Sequence, residues 1–221
     1  MIVQVNLQRL LNGNKIIKIL NKNFKKMYNF INKKNPNFLF NGDGSLFKKI
    51  TSNSKTYGEY GCGKSTLWVY NNTKNDIISV DTSKKWQSKI SYKMKDKNRY
   101  TLRTIDCGEV KEWGYPIDHS KKENYIKYCK SIWMKDKKLD VVLIDGRFRV
   151  CCFLLSLKYA DKDTFILFDD YCNRSRYHVV EHLLKPIEFC GRQALFQVPS
   201  KKYINPTYLD VLINNFQYVT K

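Results

Sequence analysis

The residues best suited to chemistry in this 221-residue chain begin with a glycine-rich stretch, residues 59–66, in which two glycines precede Lys-Ser-Thr. Closely spaced glycines let a backbone turn tightly against a ligand, and the N–H groups of a following helix can hold a polar or anionic group. Residues 58–65 also match the phosphate-loop pattern G-x-x-x-x-G-K-[ST], which is typical of NTPases. The stretch therefore predicts a nucleotide or nucleoside site and leaves two alternatives for the ligand.

An acid downstream of the glycines helps to separate these alternatives. Asp81 lies 18 residues after Gly63 and ends the apolar run 77–80. An acid about 20 residues beyond such glycines accepts hydrogen bonds from ribose hydroxyls in nucleoside sites. A phosphate loop does not need this acid, and Glu59 would bring a carboxylate close to a bound triphosphate. The polar run 51–56 also lacks the apolar strand that normally precedes a phosphate loop, so we favour the nucleoside site.

Other acids follow apolar runs in the same way. The runs 101–105, 141–144 and 165–168 end in Asp106, in Asp145, and in the pair Asp169 and Asp170. One such Asp is often only a turn former or helix cap, but that explanation accounts less well for the whole set. Because parallel strands share one carboxyl edge, these acids are expected to converge there.

The elements that must position these acids alternate along the chain. Helical patterns at 84–92, 121–135, 150–159 and 174–184 separate the apolar runs. This alternation predicts an α/β fold with a doubly wound, mostly parallel sheet and helices on both faces. Near the C-terminus, we expect a strand over 189–198, a helix from 206 to about 212, and edge pairing by 216–219.

Four segments together resemble the class I, Rossmann-like S-adenosylmethionine-dependent methyltransferases: residues 57–66, Asp81, Leu143-Ile144-Asp145-Gly146 and Phe168-Asp169-Asp170-Tyr171. The resemblance covers roughly residues 42–198. It implies that Asp81 holds the ribose hydroxyls and that Asp106, beside Cys107, borders the adenine. It also implies cofactor contacts by Glu59, Gly61, Cys62, Gly63, Ser65, Thr66 and Asp145.

Some relatives of this kind use a magnesium ion to orient and acidify substrate hydroxyls. The resemblance then implies that Mg²⁺ is bound by Asp145, Asp169 and Asp170, which offer the hard oxygen ligands this ion prefers. Two departures weaken this expectation, since Arg147 stands where a further acid is usual and residues 160–163 replace Pro-Gly-Gly. The alternative is that these acids only anchor loops or helix ends.

Several residues near the acids are candidates for substrate contact or catalysis. Arginine forks recognise carboxylate or phosphate groups, and an aromatic loop over residues 113–116 could roof a pocket. The substrate candidates are Arg147, Arg149, Trp113, Tyr171 and Arg174. The catalytic candidates are Asp145 and His119, as acceptors of a hydroxyl proton. For each arginine and aromatic residue, a structural role is the alternative.

Composition limits the remaining possibilities. The chain is 43% hydrophobic, carries a formal charge of +20, and has seven cysteines without a C-x-x-C pair. The cysteine pattern favours a cytoplasmic protein with buried thiols, and no transmembrane segment is expected. The positive charge favours contact with nucleic acid or another polyanion. We expect a basic N-terminal helical extension over residues 1–40, with an apolar stripe from Ile16 to Ile31, and one domain over residues 41–221. No feature specifies an oligomeric state.

The predicted activity is methyl transfer from S-adenosylmethionine to a hydroxyl of a small molecule or sugar. The first alternative is an RNA methyltransferase, which the charge favours. The second is an NTPase built on residues 58–65. A fold that keeps the pocket but serves only as a binding module is a further alternative.

Overall fold

The structure is a computed structural model, and it describes residues 39–40, 43–133 and 137–220. The predicted helix with the apolar stripe from Ile16 to Ile31 lies outside the described residues. One compact unit spans Gly42–Lys221, and the description below concerns this unit. Within the described part of the chain, no helix combines the length and the apolar character needed to cross a membrane.

A single seven-stranded sheet forms the centre of the unit, in the order β3-β2-β1-β4-β5-β7-β6. Strands β1 to β5 pair in parallel, whereas β7 is antiparallel to both β5 and β6. This confirms the predicted Rossmann-like, mostly parallel sheet. The strands are β1 (Thr56–Tyr60), β2 (Asp76–Asp81), β3 (Tyr100–Thr104), β4 (Val141–Ile144), β5 (Phe165–Phe168), β6 (Glu188–Cys190) and β7 (Gln193–Gln197).

Within the described residues, six α-helices connect and cover these strands. The most buried is α5, which is enclosed from Arg149 to Leu157 and contacts α4, α6 and β4. Right-handed crossovers put the helices after β1 and β2 on one face of the sheet and those after β3 and β4 on the other. The helices are α1 (Ser45–Ser52), α2 (Lys64–Asn72), α3 (Lys84–Ser91), α4 (Tyr125–Lys130), α5 (Arg149–Tyr159) and α6 (Pro206–Phe216).

The central strand β1 was not predicted from the sequence. Its residues TYGEY include a glycine and a glutamate, and both residue types are unfavourable in strands. The strand forms because it pairs with β2 on one side and β4 on the other. At Gly58 a Cβ atom would lie 2.6 Å from Leu139 Cδ1, so close packing requires the glycine.

The C-terminal predictions were partly wrong. The single strand expected over 189–198 is a hairpin of β6 and β7, because Gly191 adopts a φ of +57° and reverses the chain. The segment Ser175–His182 is a 3-10 helix rather than an α-helix. Helix α6 continues to Phe216, since its apolar residues pack on the core, and 216–219 does not pair with the sheet.

Candidate functional site

The glycine turn, defined here as Gly61, Cys62 and Gly63, joins β1 to α2 at the carboxyl edge of the sheet. Gly61 has a φ of +88°, and a Cβ atom there would lie 2.9 Å from the Asp145 carbonyl oxygen. A Cβ atom on Gly63 would instead meet nothing within 4 Å. The turn is therefore packed tightly at Gly61 and open at Gly63, where a ligand can approach the backbone.

The phosphate-loop interpretation of residues 58–65 was wrong. Gly58 and Glu59 belong to β1 and pair with both neighbouring strands. Only three residues are left between β1 and α2, so the pattern does not fold as a phosphate-binding loop. Lys64 lies exposed at the start of α2.

Glu59 lies directly beneath the glycine turn and is fully buried. Its carboxylate accepts hydrogen bonds from four hydroxyls, those of Tyr57 (3.0 Å), Ser65, Thr66 and Ser79 (3.3 Å). The Thr66 hydroxyl also accepts a hydrogen bond from the Gly63 N–H at 2.8 Å. Burial raises the pKa of Glu59 to about 7, although the hydroxyls favour its charged form. Glu59 therefore holds the turn and the first residues of α2 in one conformation.

Asp81 lies beside the glycine turn, on the edge of the sheet where the sequence predicted it. Its carboxylate accepts hydrogen bonds from the Cys62 N–H at 3.2 Å and the Ser83 N–H at 2.8 Å. The Trp86 indole donates to the Cys62 carbonyl oxygen at 2.6 Å, which fixes the other side of the turn. Burial raises the pKa of Asp81. The two elements required for a nucleoside site, a glycine turn and an acid, therefore lie together.

The three predicted metal ligands also converge, since Asp145, Asp169 and Asp170 each have a carboxylate oxygen within 4.8 Å of the others. They are, however, already paired with arginines. Arg192 contacts Asp169 through two nitrogens and Asp170 at 3.0 Å. Arg174 contacts Asp170 at 2.6 Å, and Arg149 contacts Asp145 at 2.8 Å and Asp170 at 3.3 Å.

Three carboxylates facing three guanidinium groups form a neutral cluster. A divalent cation there would have to compete with the arginine nitrogens that contact all three acids. The residues therefore do not fit a magnesium site, which corrects the metal-ligand prediction for Asp145, Asp169 and Asp170. Sequence reasoning missed Arg192, which lies in the turn between β6 and β7 and carries no local signal of its partners.

Arg149 was predicted to bind substrate, but its guanidinium is buried and fully used. Besides its two acids, it donates to the carbonyl oxygens of Gly146 (3.1 Å), Asp169 (2.6 Å) and Asp145 (3.4 Å). Its role is to connect the ends of β4 and β5. Tyr171 is likewise buried and donates to Glu181 at 2.8 Å, so direct substrate contact by Tyr171 is also corrected.

The aromatic loop, residues 113–116, follows β3 and lies over the sheet edge that carries the glycine turn. A Cβ atom on Gly114 would lie 2.7 Å from Thr82 Oγ1, after β2, and 4.0 Å from Arg147 Cγ, after β4. Because β1 lies between β2 and β4, this part of the loop passes over the end of β1. The Trp113 side chain is 83% exposed, whereas Tyr115 is half-buried against Arg147. Tyr115 therefore faces the site, and Trp113 faces solvent.

Arg147 is 7% exposed, and its guanidinium carbon lies 3.9 Å from the centre of the Tyr115 ring. Burial, the largest single influence, would raise the pKa of Tyr115, but Arg147, Arg174 and Arg149 together lower this pKa. Arg174, another substrate candidate, is partly exposed and paired with Asp170. Arg149 and Arg174, the other arginines predicted to bind substrate, are both paired with acids. Arg147 instead contacts Tyr115 of the aromatic loop, and within the described residues it has no acid partner.

The last two candidates lie further along the loop after β3. Asp106 is exposed and forms an ion pair with Lys121. It borders a groove of about 710 Å³ along α3 and β3 that also includes Thr82, the neighbour of Asp81. His119 is exposed and contacts the Tyr125 hydroxyl at 3.2 Å. Within the described residues, no contact between His119 and the acidic cluster is observed.

Comparison with known proteins identifies relatives by structure. A methyltransferase-like protein from Silicibacter pomeroyi is 28% identical, with a TM-score of 0.70 over 79% of this chain and 93% of that chain. Cofactor-bound Rv0187 from MTB shares the fold at 11% identity, with a TM-score of 0.51 over 71% of this chain and 79% of that chain. No protein-family model matches the sequence, and no curated protein matches it.

The relatives, the strand order and the glycine turn beside Asp81 agree with the motifs recognised in the sequence. The comparison therefore supports the resemblance to the class I, Rossmann-like S-adenosylmethionine-dependent methyltransferases, a family of enzymes whose fold this chain shares.

Proposed function

We propose that this protein transfers a methyl group from S-adenosylmethionine to a hydroxyl of a small molecule or sugar. The observation that carries the proposal is the contact between the glycine turn and Asp81, beside the open space at Gly63. A carboxylate at the end of the second strand suits ribose hydroxyls, and an exposed glycine backbone lets the ligand come close. The proposed cofactor contacts are Gly61, Cys62, Gly63, Asp81 and Asp145.

The other predicted cofactor residues take supporting roles in this proposal. Glu59, Ser65 and Thr66 form the buried network that holds the turn in place before the ligand arrives. Asp106 would border the adenine, because Asp106 and Thr82, the residue after Asp81, line the same groove.

S-Adenosylmethionine, when bound, supplies a sulfonium methyl group, whose carbon bonds to the acceptor oxygen as the carbon–sulfur bond breaks and S-adenosylhomocysteine leaves. The hydroxyl proton must pass to a base. We assign this role to Asp145, whose side chain is 28% exposed and whose backbone touches Gly61. Burial, with repulsion from Asp169, raises the pKa of Asp145, which makes its carboxylate a stronger proton acceptor. His119 is the alternative base.

The test compares ligand binding by two variants, each of which replaces one acid of strand β2. Asp81 ends β2 beside the glycine turn, whereas Asp76 begins β2 at the opposite edge of the sheet. In calorimetry, S-adenosylhomocysteine is expected to bind and ATP is not. Asp81→Asn should weaken S-adenosylhomocysteine binding by about tenfold or more, equal to about 1.4 kcal/mol, while Asp76→Asn leaves it unchanged. Binding of ATP alone, or equal effects of both variants, would contradict the proposal.

A second candidate acceptor is RNA, favoured by one stretch of surface. Six lysines lie within residues 84–97, and none forms an ion pair with described residues. Exposed Trp86 and Tyr92 accompany them, a combination suited to nucleic acid. If RNA is bound, replacing Lys84, Lys85 and Lys89 with Gln should weaken binding and reduce its salt dependence. A matched triple replacement at Lys49, Lys55 and Lys74 is the control, and equal effects would reject this surface.

A further inference from the structure

We infer that Arg147 recognises an anionic group, a carboxylate or phosphate, on a molecule bound at this site. The inference rests on the proposed function and adds to it the chemical class of the group recognised. Arg147 differs from Arg149, Arg174 and Arg192 at the carboxyl edge in charge balance and in position.

The charges of the acidic cluster at this edge are balanced without Arg147. Arg149, Arg174 and Arg192 are paired with Asp145, Asp169 and Asp170, so these six side chains sum to zero formal charge. In residues 43–133 and 137–220, no carboxylate oxygen lies within 4.0 Å of a nitrogen of the Arg147 guanidinium. Arg147 therefore adds one positive charge that the surrounding protein does not compensate.

Arg147 is 7% exposed, and its Nε atom is buried without a hydrogen-bond partner. Burying a cation without a partner is unfavourable because the cation loses its hydration, and stacking on an aromatic ring compensates only part of this loss. The Tyr115 ring provides this stacking at 3.9 Å. An anion beside Arg147 would supply the missing pairing, and a guanidinium can bind carboxylate or phosphate through two parallel hydrogen bonds.

Arg147 also lies close to the glycine turn. Arg147 follows Gly146, and a Cβ atom on Gly146 would lie 2.9 Å from the Gly61 nitrogen. The residue before Arg147 therefore packs against the glycine turn, and the Arg147 side chain lies under the aromatic loop. Two molecules could bring an anion here: the carboxylate of the cofactor's methionine part, or an anionic group on the methyl acceptor.

The experiment separates these two sources. Binding of S-adenosylhomocysteine, its decarboxylated analogue and inorganic phosphate is measured by calorimetry for wild type, Arg147→Gln and Arg147→Lys. Phosphate is titrated both with and without saturating S-adenosylhomocysteine. Arg176→Gln is the matched control, since it removes an exposed arginine close to the same cluster.

If the cofactor supplies the anion, Arg147→Gln should weaken S-adenosylhomocysteine binding by about tenfold and leave the decarboxylated analogue unaffected. If the acceptor supplies it, the affinity for S-adenosylhomocysteine should stay unchanged, and phosphate binding should be lost in Arg147→Gln but not in Arg176→Gln. Arg147→Lys keeps the charge without the planar fork and should bind the anion more weakly than wild type.

The inference is overturned if wild type, Arg147→Gln and Arg147→Lys bind all three probes equally. If Arg147→Gln does not fold, Arg147→Lys decides the outcome in the same titrations. Failure of the proposed function looks different, because wild type would then bind neither nucleoside. Phosphate binding that depends on Arg147 would still support the anion site in that case.

Discussion

The backbones of Gly61 and Gly146 meet so closely that a Cβ atom on either would lie 2.9 Å from an atom of the other. This contact joins the turn after β1 to the turn after β4. It explains why both the first glycine of the turn and the glycine of Ile-Asp-Gly are needed. The two turns carry the proposed cofactor and substrate residues, so their relative position sets the geometry of the site.

Substitution at this contact should destabilise the fold. Gly61→Ala places a Cβ atom 2.9 Å from the Asp145 carbonyl oxygen at a φ of +88°. Left-handed strain combined with overlap against backbone should cost about 3 kcal/mol in the free energy of unfolding. Urea denaturation measures this loss, and unchanged stability would contradict the packing described.

Gly63→Ala should behave in the opposite way. Its φ is −178°, an extended conformation open to any residue, and the added Cβ atom would meet nothing within 4 Å. Stability should stay within about 1 kcal/mol of wild type, because neither strain nor overlap is introduced. Calorimetry should instead show S-adenosylhomocysteine binding weakened by about tenfold, since the Cβ atom enters the space left for the ligand. Unimpaired binding would exclude Gly63 from the cofactor site.

Glu59 should make stability depend on pH. Its pKa is raised by burial from 4.5 to about 7 in the folded protein, so the folded state holds the proton more tightly than the unfolded state. The stability contributed by the protonated form is complete below the unfolded pKa and is lost as pH rises towards the folded pKa. Wild type should therefore lose about 3 kcal/mol relative to Glu59→Gln between pH 4.5 and pH 7.

The measurement is the difference in unfolding free energy between wild type and Glu59→Gln across this pH range. Taking the difference cancels most of the titration of other groups. Asp76→Asn serves as a control, because Asp76 is a partly exposed acid. Parallel pH profiles for wild type and Glu59→Gln would show that the Glu59 pKa is not raised.

Removing Arg149 should have one of the largest effects on stability. Arg149→Met would leave Asp145 and Asp170 with less compensation in a largely buried cluster. Breaking a buried ion pair from one side typically costs about 3 to 5 kcal/mol. Arg176→Met, at an exposed position, should change stability by less than about 0.5 kcal/mol. Urea denaturation measures the free energy of unfolding of both variants. A similarly small loss in both would argue against a structural role for Arg149.

Magnesium should have no effect on the protein. The acids at the ends of β4 and β5 are occupied by arginines, so Mg²⁺ or a chelator should alter neither the melting temperature nor the affinity for S-adenosylhomocysteine. Thermal unfolding and calorimetry with each addition check this. A magnesium-dependent rise in melting temperature that is lost in Asp169→Asn would restore the metal hypothesis.

Local patterns in the sequence determined much of this protein. The apolar runs of β2 to β5, the glycine turn and the spacing to Asp81 predicted the mostly parallel sheet and the edge of the sheet that carries the candidate site. These signals are local because a strand, a turn and an acid at a strand end each depend on a few neighbouring residues. Strand β1 escaped prediction because its formation depends on two partner strands rather than on its own residues.

Only the tertiary structure decided what the arginines do. Arg147 and Arg149 are two residues apart in the sequence, but Phe148 between them adopts a φ of +55° at the start of α5. Arg149 consequently enters the acidic cluster, and Arg147 lies against Tyr115. The acids and the aromatic ring that distinguish these arginines come from separate parts of the chain, so residue type and spacing alone could not assign their roles.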